Sequence, residues 1–242
     1  MSKQHFQNIA IVGSHGAIGN ALLTDICHRY PDANVTALSR KQGVLPDHVT
    51  FIPIDFGVEE TIQAAALSLS RDAPLNLVII ASGILHDENL QPEKNLKSLD
   101  GNDFLKVMQI NCLGPALIMK HFLPLIPRKA PAVLAALSAR VGSISDNRLG
   151  GWHSYRSSKA ALNMMIRGAA IETARRAPQS VIIGLHPGTV SSALSNPFSS
   201  NVAEEKLFTP AYSAGKLLDV IENMTPEHSG RCFAYDGTEV PA

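Results

Sequence analysis

The chain has 242 residues, 45% of them hydrophobic and 17% charged, enough apolar material for a sizeable core. Lys+Arg and Asp+Glu balance at 21 each, without the basic excess that binding to nucleic acid or an anionic membrane calls for. No apolar run approaches the ~20 residues that cross a bilayer, residues 1–8 are too polar for a secretory signal, and three scattered cysteines, Cys27, Cys112 and Cys232, suit a reducing, cytoplasmic setting without disulfides or a metal knuckle.

Residues 8–12 form a short apolar run. The turn Gly13-Ser14-His15-Gly16-Ala17-Ile18-Gly19 follows, then a helical pattern to Tyr30 with Leu22, Leu23, Ile26 and Cys27 on one face. Strand, glycine turn and helix in that order suit a dinucleotide pyrophosphate: the backbone can approach it, and the free N–H groups of the helix start face the anion. Residues 34–38 read as a second strand ending in Ser39-Arg40-Lys41. An acid at that end would hold the 2′-hydroxyl of NAD, whereas a guanidinium suits the 2′-phosphate of NADP. NADP(H) is therefore expected over NAD(H).

A third strand spans 49–54 and leads to Asp55 and Phe56, and a helix covers 59–70. Residues 75–81 are continuously apolar, as in a strand buried on both faces of a parallel sheet, and end in Ala81-Ser82-Gly83. Residues 84–98 are polar and irregular, fit to flank a cleft. A long helix is expected over 102–126 with Pro115 inside it. Proline cannot donate to the carbonyl four residues back, so the main-chain oxygen of Asn111 is left for another partner, most simply water. A fifth strand covers 132–137 before Ser138, and a helix runs over 152–176. A sixth strand at 181–185 ends in His186-Pro187-Gly188-Thr189. Residues 190–207 read as a mobile loop over the cleft, Thr209-Pro210 opens a last helix, and 231–235 is a final strand. The alternation predicts one domain over 1–242: a Rossmann-type α/β fold, a doubly wound parallel sheet with helices on both faces.

Tyr155 and Lys159 stand four apart in that 152–176 helix, on one face and one turn from each other. A neighbouring ammonium favours phenolate, which would bring the tyrosine down from its usual pKa near ~10 toward a value useful for proton transfer.

Taken together, the glycine turn, Asp55, Ala81-Ser82-Gly83, Asn111, residues 138–143, Tyr155-x-x-x-Lys159 and Pro187-Gly188 resemble the short-chain dehydrogenase/reductase family over nearly the whole chain. Within it the sequence is most similar to the sniffer-like carbonyl reductase and C-factor-like branch. The resemblance implies hydride transfer between a nicotinamide and a carbonyl or alcohol. It makes Tyr155 the general acid/base and Lys159 the residue that holds the nicotinamide ribose and lowers the tyrosine pKa. Asn111 would hold a relay water through its main chain, Asp55 would contact the adenine, and Pro187, Gly188 and Thr189 would lie at the nicotinamide. A homodimer or homotetramer through the long helices is also implied.

The sequence departs from the family pattern twice. Ala17 stands where a glycine is usual. The catalytic serine, three residues before a glycine, falls on Ala139 when counted from Gly142; Ser138 is one residue early and Ser143 one residue past the glycine. A lost oxyanion donor lowers rates on the order of 10²-fold, so Ala139 also keeps open a different reading, a signalling or redox-sensing protein that binds the dinucleotide without turnover.

Overall fold

The computed structural model describes residues 4–69, 73–192 and 207–242. Its strands are β1 (Asn8–Val12), β2 (Asn34–Ser39), β3 (Val49–Pro53), β4 (Leu77–Ile80), β5 (Ala132–Leu137), β6 (Ser180–His186), β7 (Thr189–Val190), β8 (Leu207–Phe208) and β9 (Cys232–Ala234). Its α-helices are α1 (Ala17–Arg29), α2 (Glu59–Ser68), α3 (Gly101–Met108), α4 (Gly114–Phe122), α5 (His153–Ala174) and α6 (Pro210–Glu222). Seven strands build one parallel sheet in the order β3-β2-β1-β4-β5-β6-β9, the Rossmann-like α/β arrangement that the alternation predicts.

The period-two alternation of side chains divides the apolar strands between two cores. Ile9, Ile11, Leu77 and Ile79 pack with Leu22, Leu23 and Ile26 of α1 and Leu217, Leu218 and Ile221 of α6. Ala10, Val12, Val78 and Ile80 pack on the other side with Ile62 of α2, Ile118 and Phe122 of α4, and Leu162 and Ile166 of α5. Strand order reverses between β1 and β4. In such sheets the ligand crevice lies at the carboxyl ends of the strands around that reversal.

The expected long helix over 102–126 is four pieces: α3, a π-helical turn, α4 and a closing 3₁₀ turn, Leu123–Leu125. Asp100 caps α3 by accepting from the N–H groups of Asn102 and Asp103. A π-helical turn, Gln109–Leu113, then widens the backbone, and α4 restarts with Pro115 in its first turn. Proline is tolerated there because a first-turn position needs no N–H for helical bonding. The wider turn thus converts an interior proline into an N-terminal one. Thr209 caps α6 as expected, accepting from the N–H of Tyr212. Part of the stretch expected to be irregular is ordered: β7 pairs with β8 in parallel. The rest of the expected cleft loop, residues 193–206, lies outside the described residues.

Two helical glycines separate packing from propensity. A Cβ on Gly19 would sit 2.2 Å from the Gly13 oxygen, whereas one on Gly101 would meet nothing within 4 Å. Gly19→Ala should therefore lower stability by about 2 kcal/mol or more through forced backbone movement. Gly101→Ala should be neutral or raise it by less than about 1 kcal/mol. Urea midpoints of the two variants compare these outcomes directly.

Candidate active site

The glycine turn is anchored between strand ends. Gly13 N–H donates to the Leu38 oxygen at 2.7 Å, and Ala81 N–H to the Val12 oxygen at 2.7 Å. Gly13 has φ +84°, and a Cβ there would lie 2.7 Å from the Ala81 oxygen, so this corner admits no side chain. Gly16 occupies the N-cap of α1 with no side-chain cap, and His15, Gly16 and Ala17 are exposed. The N–H groups of that helix start are therefore not covered by a capping side chain, and an anion suits them. Ala17, where a glycine is usual, is the exposed first residue of α1.

Around this turn the predicted cofactor residues gather. Ser14 Oγ lies 3.5 Å from Ser39 Oγ, and Ser39 Oγ donates to the Lys41 oxygen. That places Arg40, exposed and without an ion pair among the described residues, at the same corner. Asp55 closes β3 and accepts from Gly57 N–H. Phe56 is taken up by packing: a Cβ on Gly114 would come within 2.8 Å of its ring. Ser82 Oγ is buried with no hydrogen-bond partner among the described residues. A buried hydroxyl left unbonded calls for an explanation. With the uncapped helix and the glycine cradle, it fits a bound dinucleotide.

The helix α5 is held from three directions. A Cβ on Gly142 would lie 2.8 Å from Lys159 Cβ, so the 3₁₀ turn Arg140–Gly142 reaches α5 only because glycine stands there. Lys159 is 2% exposed, and its Nζ donates to the Leu137 oxygen at 2.8 Å. At the helix start Trp152 is left-handed (φ 51°) and provides no side-chain cap. Glu93, itself 6% exposed, supplies that function from the 81–100 connection: its carboxylate accepts from the N–H and the hydroxyl of Ser154, while its main-chain oxygen accepts from Trp152 N–H. A carboxylate at a helix N-terminus is doubly favourable, satisfying a free N–H and complementing the helix dipole.

Tyr155 meets Trp152 edge to face, with ring centroids 6.3 Å apart. Lys159 Nζ lies 5.7 Å from its ring centroid, so the expected juxtaposition is present. The expected electrostatic outcome is not. Burial pushes Tyr155 up to about 12, and burial pulls Lys159 down to about 8. Desolvation penalises both charged forms and outweighs an ammonium at this distance. The resting pair is a neutral phenol beside a lysine that sheds its proton easily.

Asn111 is 0% exposed. Its Oδ1 accepts from Ile84 N–H at 2.7 Å, and its Nδ2 donates to the Ile84 oxygen and to Ser158 Oγ. The sequence pointed to its main chain; the side chain adds a clamp between the π-turn, the end of the β4 segment and α5. A Cβ on Gly83 would sit 3.5 Å from Lys159 Nζ and 3.6 Å from Asn111 Oδ1, so these groups share one corner. Neither serine candidate is free. Ser138 Oγ donates to Asn163 Oδ1 at 2.6 Å. Ser143 Oγ accepts from Asp146 N–H and contacts the Ala242 oxygen at 3.4 Å. A cavity of about 220 Å³ is walled by Tyr155, Ala139, Trp152, Leu85, Pro187 and His186, among others. Gly188 turns there with φ +77° against the Phe208 ring, and Pro187 accepts from the Ser213 hydroxyl.

A family model described as short chain dehydrogenase matches residues 7–203. The C-signal of Myxococcus xanthus is 38% identical over 146 residues, 60% of this chain and 82% of that protein. The 1-hydroxy-2-glutathionyl-2-methyl-3-butene dehydrogenase of Rhodococcus sp. is 30% identical over 232 residues, 95% of this chain and 97% of that protein. Among solved structures, NADPH-bound carbonyl reductase from chicken fatty liver matches with a TM-score of 0.83 at 22% identity, covering 99% of this chain and all (100%) of that one. The carbonyl reductase Sniffer of D. melanogaster matches at 0.85 and 19%, covering 98% and 100%. At these identities the structures speak for the fold.

The buried lysine leaves a signature in stability. Its folded pKa, about 8, lies below the ordinary 10.5, so between those values the unfolded chain binds more protons and stability rises with pH. Below pH 8 the buried charge is a cost, on the order of 3 kcal/mol. In protein without nucleotide, Lys159→Met should remove the rise between pH 8 and 10.5. Urea titrations across that range compare the slopes.

Proposed function

The chain belongs to the short-chain dehydrogenase family of oxidoreductases, and from that premise we propose that it is an NADPH-dependent carbonyl reductase with Tyr155 as its proton donor. The single observation that carries this reading is Tyr155 itself, neutral at working pH, walling a small cavity one helical turn from Lys159. A phenol that begins in its acid form is suited to protonating a carbonyl oxygen, which favours reduction as the working direction.

Bound NADPH would supply the hydride. Gly13, Ser14, His15, Gly16, Ala17, Ile18 and Gly19 would hold its pyrophosphate, and Ser39 and Arg40 its 2′-phosphate. Asp55 would flank the adenine, with Ala81, Ser82 and Gly83 along the ribose side, and Pro187, Gly188 and Thr189 at the nicotinamide. Tyr155 gives its proton to the substrate oxygen. Lys159 steadies the phenolate left behind. A water on the main chain of Asn111 refills it, because Pro115 has no N–H to claim that oxygen. The substrate would be a small carbonyl compound or alcohol, bordered by Leu85, Trp152 and Val190.

A homodimer through α4 and α5 is part of this proposal. Met164 and Met165 are exposed beside a groove of about 840 Å³ that also includes Met119 and Leu123. The groove also holds Lys120, Glu172 and Arg176, and apolar residues with charges around them suit a second copy.

NADPH oxidation with a panel of aldehydes, ketones and quinones tests the reading. Tyr155→Phe should lower kcat by 10²-fold or more, the scale of general acid catalysis, while NADPH affinity stays within about 3-fold. Tight NADPH binding with no turnover on any carbonyl would favour the non-catalytic dinucleotide-binding protein instead. Arg40→Ala should weaken NADPH by about 10-fold or more and leave NADH nearly unchanged. Equal loss for both would refute the NADP preference.

A further inference from the structure

The cavity beside Tyr155 lacks a second donor of the expected kind. Ala139 presents a methyl group, and the Ser138 hydroxyl is committed to Asn163. Most of the remaining wall is apolar: Leu85, Val141, Trp152, Pro187 and Val190. Arg140 is engaged through Nε with Asp146. Yet an oxyanion developing on a substrate carbonyl is stabilised most by donors already fixed in a water-poor site.

His186, Thr189 and Ser192 are the other polar side chains of that wall, and of these the histidine lies beside Ser138. It ends β6 at the same sheet edge. In the β5–β6 register Leu137 faces Leu185, and Ser138 N–H donates to the Leu185 oxygen, so His186 is the next lateral neighbour of Ser138. It walls the same cavity as Tyr155 and Ala139. Its Nδ1 is buried and has no hydrogen-bond partner among the described residues. Gln4, Ser82 and Ser180 hold such atoms as well, so the unbonded nitrogen bears here on the tautomer of the ring. Burial pulls its pKa down to about 4, with Arg140 adding to the shift and Asp236 opposing it. The imidazole is therefore neutral and carries one N–H. An unbonded buried ring nitrogen is less costly as a lone pair than as an N–H, which leaves the proton on Nε2.

We infer that His186 donates a hydrogen bond from its neutral imidazole to the substrate carbonyl oxygen, in place of the hydroxyl absent at Ala139. The inference rests on the reductase reading. The ring keeps its proton throughout: Tyr155 delivers the proton that becomes part of the alcohol, and His186 only stabilises the charge that precedes it. A neutral donor suits this task because it neither competes with Tyr155 as an acid nor needs a counter-ion in a desolvated site.

The test is a cycle of His186→Leu, His186→Gln and Ala139→Ser, assayed with NADPH and 4-nitrobenzaldehyde, with NADPH affinity from fluorescence as a check on folding. His186→Leu should lower kcat by about 10- to 100-fold with NADPH affinity within 3-fold, and His186→Gln, which keeps a donor, should recover part of that loss. Ala139→Ser should raise the kcat of His186→Leu by about 5-fold or more and that of the wild type by a clearly smaller factor, because the two donors serve one oxygen. A kcat for His186→Leu within 2-fold of wild type, or the same gain from Ala139→Ser in both backgrounds, overturns the inference. If the wild type reduces no carbonyl at all, the reductase reading fails on its own. The histidine is then judged by ¹⁵N NMR of its ring on adding 4-nitrobenzyl alcohol to the NADP complex: a shifted ring nitrogen supports the contact, an unmoved one refutes it.

Discussion

The buried bond from Lys159 to the Leu137 carbonyl is the contact on which the site depends. It joins the end of β5, next to the central strand β4, to the helix that carries Tyr155. It forms only because Gly142 lets the intervening 3₁₀ turn lie against the helix backbone. An ammonium out of water must be hydrogen-bonded, and here the strand end provides the acceptor. The same desolvation that makes the bond necessary sets the protonation of the neighbouring tyrosine. Geometry and acidity at this site are thus two results of one burial.

Around that bond, several parts of the chain meet that are far apart in sequence. Asn111 fastens the π-turn to Ile84 and Ser158. Glu93 fastens the 81–100 connection to the start of α5. The glycine turn is fastened to the ends of β2 and β4. Each tie is short and made by a buried polar group, the kind of contact that rigidifies when it is fully satisfied. Of the four buried side-chain polar atoms left unsatisfied among the described residues, Ser82 Oγ and His186 Nδ1 lie where ligands are expected, while Gln4 Oε1 and Ser180 Oγ lie away from the site.

The sheet was legible in the sequence because parallel strands buried on both faces are continuous apolar runs, and 8–12, 77–80 and 132–137 are such runs. The glycine turn was legible because its neighbours are a strand and a helix. The cap on α5 was not, because Glu93 and Ser154 are 61 residues apart and only the fold brings them together. The effect of burial on Tyr155 is hidden for a similar reason: spacing reports which charges are near, but not how much water the fold removes. The π-turn had a local signal in Pro115, which tells that helical bonding must change there but not by which route. Counting from Gly142 raises the serine question, and the partners of Ser138 and Ser143 are visible only in the fold. His186 carried no motif signal of its own; only its register beside Ser138 and its unbonded nitrogen mark it.

The grip of Glu93 on the first turn of α5 has a further consequence. The connection that carries Glu93 also supplies Leu85 to the wall facing the substrate, so recognition and proton donation share one mechanical frame. A change in that connection made to admit a different molecule would also tilt the helix that aims the acid. In such a frame selectivity and rate are coupled variables. New substrates are then more readily accommodated from the side of Thr189 and Val190, where the wall is not tied to the acid-bearing helix by a buried carboxylate.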